Sequence, residues 1–268
     1  MTPLVEKYRP LTLDGFIGME RPTAILRALA AEPYESAWLL LGPSGLGKTT
    51  MALAVAELIG GQVHHIPSRN CDLDTVERET RSCHYAPMFG GSQWHVILCD
   101  EADQMTQAAQ LAFLSKLDTT AKPPNTIFLF TANSTKKLQD RFKSRCRVLE
   151  FSHRGLLDAL VGLLAKVWTA ETAGPAPDFV RIARASKLNI REALMMLELE
   201  MIAPSSPDQV GESLVAVFAI ADITEAAGAA EAARSPVSID AQFLRRQEAA
   251  KRAWVTMRAN RARRAAAG

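Results

Sequence analysis

No stretch of this sequence reaches the run of about 18 apolar residues that a membrane-spanning helix needs, so no membrane partner is expected. The opening residues, Met1 to Lys7, lack the apolar core of a secretory signal peptide. The four cysteines, Cys71, Cys83, Cys99 and Cys146, are widely spaced and form no C-x-x-C pair. That spacing gives no sign of a zinc knuckle or a disulfide framework and suits reduced thiols in a reducing compartment. These absences together lead us to expect a cytoplasmic or nucleoid-associated protein. Net charge is also small, +2, but it is polarised: residues 241–268 carry eight Lys/Arg against one Glu, leaving the remainder net acidic.

What is present is enough for a core. At 268 residues and 48% hydrophobic content, the chain is expected to divide into two or three compact units. Its first 150 residues alternate short apolar runs with helical spacing. Strands are expected at Trp38–Leu41, Val63–Ile66, Trp94–Cys99, Thr126–Thr131 and Val148–Phe151. Helices are expected at Arg21–Ala31, Lys48–Ile59, Leu73–Tyr85 and Thr106–Leu117. This alternation predicts an α/β fold with a doubly wound parallel sheet over residues 1–152. Helical patterns at Leu156–Thr169, Asp178–Ala185 and Ile190–Ile202 predict a small helical lid over 153–203. Residues 204–268 read as a Pro/Ser-containing linker followed by alanine-rich helices, a collar-like third unit.

The chemistry concentrates in two places. Gly42-Pro43-Ser44-Gly45-Leu46-Gly47-Lys48-Thr49 fits the phosphate-loop pattern G-x-x-x-x-G-K-[ST], and it follows an expected strand and opens an expected helix. The glycines let backbone N–H groups wrap a phosphate, Lys48 reaches β- and γ-phosphates, and Thr49 offers a hydroxyl to Mg²⁺. Thr50 completes the loop. Val96-Ile97-Leu98-Cys99-Asp100-Glu101 delivers two carboxylates at the C-terminal end of a strand, where ligands bind in open α/β sheets. Asp100 suits the metal, and Glu101 suits polarisation of an attacking water. ATP and Mg²⁺ are the expected cofactors.

Five blocks resemble the AAA+ clamp-loader ATPases, the small subunits of replication factor C and the corresponding archaeal and viral subunits. Val5-Glu6-Lys7-Tyr8-Arg9-Pro10 with Phe16-Ile17-Gly18 resembles the family's adenine-pocket block, implying nucleotide contacts from Val5, Tyr8, Arg9, Pro10, Ile17 and Gly18. Asp100-Glu101-Ala102-Asp103 is similar to its D-E-A-D acids, and Asn133 stands where its first sensor residue would orient the lytic water. Ser144-Arg145-Cys146 reproduces its S-R-C motif, which implies that Arg145 reaches the neighbouring subunit's nucleotide in trans. Arginine suits that task because its guanidinium is always charged and forks onto phosphate oxygens.

Asn189-Ile190-Arg191 resembles the family's second sensor, placing Arg191 on the phosphates, although Leu188 replaces the usual glycine and the helix entry is expected to differ. The resemblance also makes Ser68 to Asn70 and the basic residues Arg78, Arg81 and Lys116 candidates for DNA-backbone contact, with a solvated charged helix as the other reading. It makes Gln110, or else Gln107, a relay from DNA to the acids.

The resemblance covers residues 4 to about 203. It implies an oligomer with other loader subunits, pentameric in form, that acts on a sliding clamp and primer–template DNA during replication. The 65 residues after 203 are shorter than the family's collar, which fits a viral loader working in host cytoplasm. In the basic tail, interleaved Phe243, Leu244, Trp254 and Met257 favour a packed amphipathic helix over a nucleic-acid arm. Two other functions fit part of the sequence. One is a Holliday-junction branch-migration ATPase, which the S-R-C and D-E-A-D blocks disfavour. The other is a non-catalytic scaffold subunit, against which stand Lys48, Thr49, Asp100, Glu101 and Arg145.

Overall fold

The computed structural model describes residues 2–67, 71–87, 92–118 and 122–203. Ser68 to Asn70 and the expected collar, 204–268, lie outside them. Five strands form one parallel sheet in the order β2-β3-β4-β1-β5: β1 Ser36–Leu41, β2 Gln62–Ile66, β3 His95–Cys99, β4 Thr126–Ala132 and β5 Arg147–Glu150. The two strands at the heart of the sheet, β3 and β4, bury every residue, because helices cover both faces. That is why they read as unbroken apolar runs rather than alternating ones.

Alternation reappears in which layer each residue feeds. Trp38 and Leu40, Val96 and Leu98, and Ile127 and Leu129 face one core; Leu39, Ile97, Cys99, Phe128 and Phe130 face the other. On the first face lie α2 (Glu20–Ala31), α3 (Lys48–Ile59) and the three lid helices, α7 (Leu156–Glu171), α8 (Phe179–Ala185) and α9 (Ile190–Ile202). The second face carries α4 (Leu73–Ser82), α5 (Gln107–Leu117) and α6 (Asp140–Lys143). There Phe113 of α5 meets Phe128 and Phe130 edge-on, with ring centroids 6.2 and 5.0 Å away.

The described residues fall in one compact unit, Met1–Pro204. The boundary expected at 152/153 therefore marks a change of element type, not a break in packing: Leu156, Leu160 and Leu164 of α7 share a core with Leu40 and Val55. Short elements escaped the periodicity argument. Helix α1 (Leu4–Lys7), α6 and the 3₁₀ turns at Leu13–Gly15 and Ala102–Gln104 are one turn each, too short to repeat a pattern.

The expected disturbance at Leu188 takes a specific form. Lys187 and Leu188 both adopt left-handed backbone, φ +52° and +60°, a conformation that favours glycine, and α9 starts at Ile190. Left-handed backbone at two consecutive non-glycine residues carries strain at the entry to α9. Among the described residues, no helix is long and apolar enough to cross a membrane.

Candidate functional site

The C-terminal ends of β1, β3 and β4 open into a cavity of about 620 Å³, roofed by α9 and walled by the N-terminal block. The phosphate loop forms its floor. Gly47 sits in left-handed backbone, φ +80°, immediately before α3, so the first N–H groups of that helix are aimed into the cavity. Lys48 is buried yet fully engaged: its Nζ donates to the carbonyls of Gly42 and Pro43 at 2.7 and 2.8 Å and to Asn133 Oδ1 at 2.9 Å. Burial lowers its pKa, and the nearby charges of Asp103, Asp100 and Glu101 oppose that shift.

Thr49 Oγ1 donates to Asp100 Oδ1 at 2.6 Å, so the two expected metal ligands stand side by side. They are hard oxygen donors, the type that Mg²⁺ takes. Thr131, near the end of β4, also donates to Asp100 Oδ1 and accepts from the Glu101 N–H at 2.9 Å. Sequence reasoning missed this residue; a hydroxyl one step before the end of the strand, after the apolar run Ile127 to Phe130, was the available signal. Glu101 itself adopts φ +48°, ψ +53°, left-handed backbone that costs a non-glycine residue about 1–2 kcal/mol, and it lines the cavity.

Of the expected nucleotide contacts, Val5, Tyr8, Arg9, Pro10, Ile17, Ser44 to Thr50, Asn133 and Arg191 line the cavity. Two sit differently. Pro43 contributes its carbonyl to Lys48 instead of lining the cavity. Gly18, at φ +62°, is pressed against the start of the lid, where an added Cβ would lie 2.7 Å from Leu156 Cδ1. Gly18 is therefore a packing position behind the pocket. The lid adds Leu163, Leu194, Met195 and Glu198 to the lining, none of them marked by a motif.

Phosphate loop and lid meet tightly at Gly45. A Cβ there would fall 1.8 Å from Asn189 Oδ1, so any side chain at this position must displace the Asn189 amide. That same oxygen accepts from the Glu192 N–H at 3.1 Å and caps α9. Tyr8 and Lys7 tie the N-terminal block to the far end of α7 through Glu171, with Lys7 Nζ 2.7 Å from the carboxylate.

Five expected residues lie away from the cavity: Arg145, Gln110, Arg78, Arg81 and Lys116. Arg145 forks onto Asp118, Nε to Oδ1 at 2.8 Å and Nη2 to Oδ2 at 3.3 Å, and donates from Nη1 to the Arg141 carbonyl. It does not line its own chain's cavity. Asp118, the C-cap of α5, was missed. Gln110 is buried, but its amide bridges backbone of the loop after β4, accepting from Gln139 N and donating to Lys137 O. Gln110 thus ties α5 to the segment that follows Asn133. Arg78 and Arg81 are exposed on α4 and Lys116 is half-buried on α5, which packs beside it; Arg78 Nε is shared with Glu79 at 3.2 Å.

Residues 38–154 match the AAA family, described as ATPases associated with various cellular activities. The chain is 32% identical to replication factor C subunit 3 of Blastobotrys adeninivorans, over 80% of this chain and 64% of that protein. It is 30% identical to the replication factor C small subunit of Natronomonas pharaonis, over 76% of this chain and 64% of that one. It therefore spans just under two thirds of the length of these relatives. In three dimensions it is similar to the RuvB Holliday junction branch migration motor of Thermotoga maritima, with a TM-score of 0.57 at 20% identity, covering 71% of this chain and 64% of that one. At that identity the likeness speaks for the fold.

Proposed function

Because this chain carries an AAA ATPase domain and is a replication factor C small-subunit-like protein, we propose that it is an ATP-hydrolysing subunit of a sliding-clamp loader acting on primer–template DNA. The observation that carries the proposal is the convergence of Lys48, Thr49, Asp100, Glu101, Asn133 and Arg191 on one cavity beneath a lid. A scaffold subunit that had given up hydrolysis would have no need of all six.

Lys48 would exchange its loop carbonyls for β- and γ-phosphate oxygens, while the N–H groups opening α3 hold the phosphates from below. Thr49 and Asp100 would hold Mg²⁺, which supplies neutralisation of phosphate charge when bound. Glu101 polarises the attacking water and Asn133 orients it, while Arg191 carries the nucleotide's state into the lid. Arg145, outside its own cavity, completes the site of an adjacent subunit, so turnover requires an oligomer with other loader subunits, pentameric by resemblance. Exposed Arg78 and Arg81 and half-buried Lys116 share the α4–α5 layer and offer phosphate contacts to DNA.

The test is steady-state ATP hydrolysis by the protein assembled with its partner subunits, with and without cognate clamp and primer–template DNA. Strong stimulation by both together is expected. Stimulation by four-way junctions without a clamp would replace the proposal with a branch-migration motor, and an absence of hydrolysis under all conditions would leave a scaffold.

A further inference from the structure

Away from the nucleotide cavity, three metal-ligating side chains converge where the sheet ends. His64 on the edge strand β2, His95 at the start of β3 and Cys83 capping α4 are all buried, at 6, 3 and 1% exposure. One nitrogen of each ring and the Cys83 sulfur lie within 4.8 Å of one another. In the parallel register Gln62 stands opposite His95 and His64 opposite Ile97, so the two histidines are diagonal neighbours on one face of the sheet.

The outer atoms of the cluster decide what its centre needs. His95 Nε2 lies 2.8 Å from the Tyr85 carbonyl, an acceptor, so this nitrogen carries the proton and Nδ1 presents a lone pair inward. His64 Nδ1 lies 3.3 Å from both the Glu79 carboxylate and Ser82 Oγ, and because the Ser82 hydroxyl already donates to the Glu79 carbonyl at 2.6 Å, both act as acceptors, which places a proton on Nδ1 and leaves Nε2 as the inward nitrogen. The two inward nitrogens are 3.0 Å apart. Two lone pairs at that separation repel unless a proton or a metal ion lies between them. Anchoring of each outer N–H by a carboxylate or carbonyl is also the arrangement that orients metal-bound histidines.

We propose that His64, Cys83 and His95 are the protein ligands of a structural zinc ion that ties the edge strand β2 and helix α4 to β3. Nitrogen and thiolate donors suit a borderline-soft cation, and the 3.0 Å between nitrogens is close to the roughly 3.3 Å edge of a tetrahedron with Zn–N bonds of about 2.0 Å. Charge closes as well: Zn²⁺ against one thiolate and the Glu79 carboxylate is neutral. Binding displaces the thiol proton to solvent, with no change of oxidation state. The consequence is local: α4 carries Arg78 and Arg81, so the ion would fix the helix that presents them.

The experiment uses the untagged full chain, its metal content measured by mass spectrometry and its spectrum recorded with Co²⁺ replacing zinc. About one zinc per chain is expected, together with a sulfur-to-cobalt charge-transfer band that saturates at about one equivalent. Oxygen ligands at Asp100 and Thr49 cannot produce that band. Cys83→Ser should abolish it, Glu79→Gln should weaken metal affinity roughly 10-fold, and His65→Gln, at the exposed neighbouring position, should leave both intact. A folded wild-type chain that takes up less than about a tenth of an equivalent of either metal would overturn the site, leaving a hydrogen-bonded histidine pair. So would a band that survives Cys83→Ser.

Discussion

Replacing Gly45 by alanine tests how the phosphate loop and the lid are locked. At φ +81° an alanine pays about 1–2 kcal/mol for left-handed backbone, whatever the space around it. Its Cβ also falls 1.8 Å from Asn189 Oδ1, so the amide must swing away. Swinging away breaks the cap on α9, worth about 1 kcal/mol. Gly45→Ala alone should therefore cost about 2–3 kcal/mol in urea unfolding. Asn189→Ala removes the cap but also clears the clash, so Gly45→Ala in that background should cost only the backbone strain. The cycle should show coupling of about 1 kcal/mol, well outside the roughly 0.3–0.5 kcal/mol within which independent sites add. Additive costs would refute the contact. If the contact couples nucleotide to lid, the single variants should also weaken ATP binding while the double variant loses little more.

Arg145→Ala should leave ATP binding by the assembled protein nearly intact and lower turnover by ~10³ or more, the scale of a lost arginine finger, read by single-turnover hydrolysis; unchanged turnover would remove Arg145 from the neighbouring site. Leu188→Gly should unfold at higher urea than Leu188→Ala by about 1 kcal/mol, because both lose the side-chain packing but only glycine relieves φ +60°; the reverse order would show that the turn is unstrained. Hydrogen bonds from Lys7 and Tyr8 hold the Glu171 carboxyl below its ordinary range. A depressed folded pKa gives stability that is present above the unfolded value and lost as pH falls through the folded one. Glu171→Gln should thus be less stable than wild type at pH 7, with the gap closing below about pH 4, in parallel urea titrations.

The sheet was legible because burial on both faces writes itself into composition: Val96 to Cys99 and Thr126 to Ala132 have no polar face to confuse the reading. The long helices were legible to within three residues at each end, and Lys48–Ile59 and Ile190–Ile202 to the residue. Both of those begin next to residues that sequence reasoning had singled out for chemistry, the phosphate loop and Asn189. Elements of a single turn carry no period to read, which is why α1 and α6 went unnoticed although they place Tyr8 and Arg145.

Contacts between elements distant in sequence were not legible, and they separate the parts of the site that motifs define from the parts that tune it. Thr131, Asn189 and Asp118 act only because tertiary packing brings them to Asp100, Gly45 and Arg145, and no spacing along the chain encodes those meetings. Arg145 is the instructive case. Sequence resemblance alone sends it to another subunit, and the structure gives it a partner of its own in Asp118, at the end of α5. Both groups are partly exposed, so the pair is weak enough to exchange for a phosphate. Helix α5 also holds Gln110 on the backbone that follows Asn133. One helix therefore touches both the segment after Asn133 and the Arg145 side chain, so under the proposed roles of these two residues a displacement of α5 by DNA would reach two nucleotide sites at once.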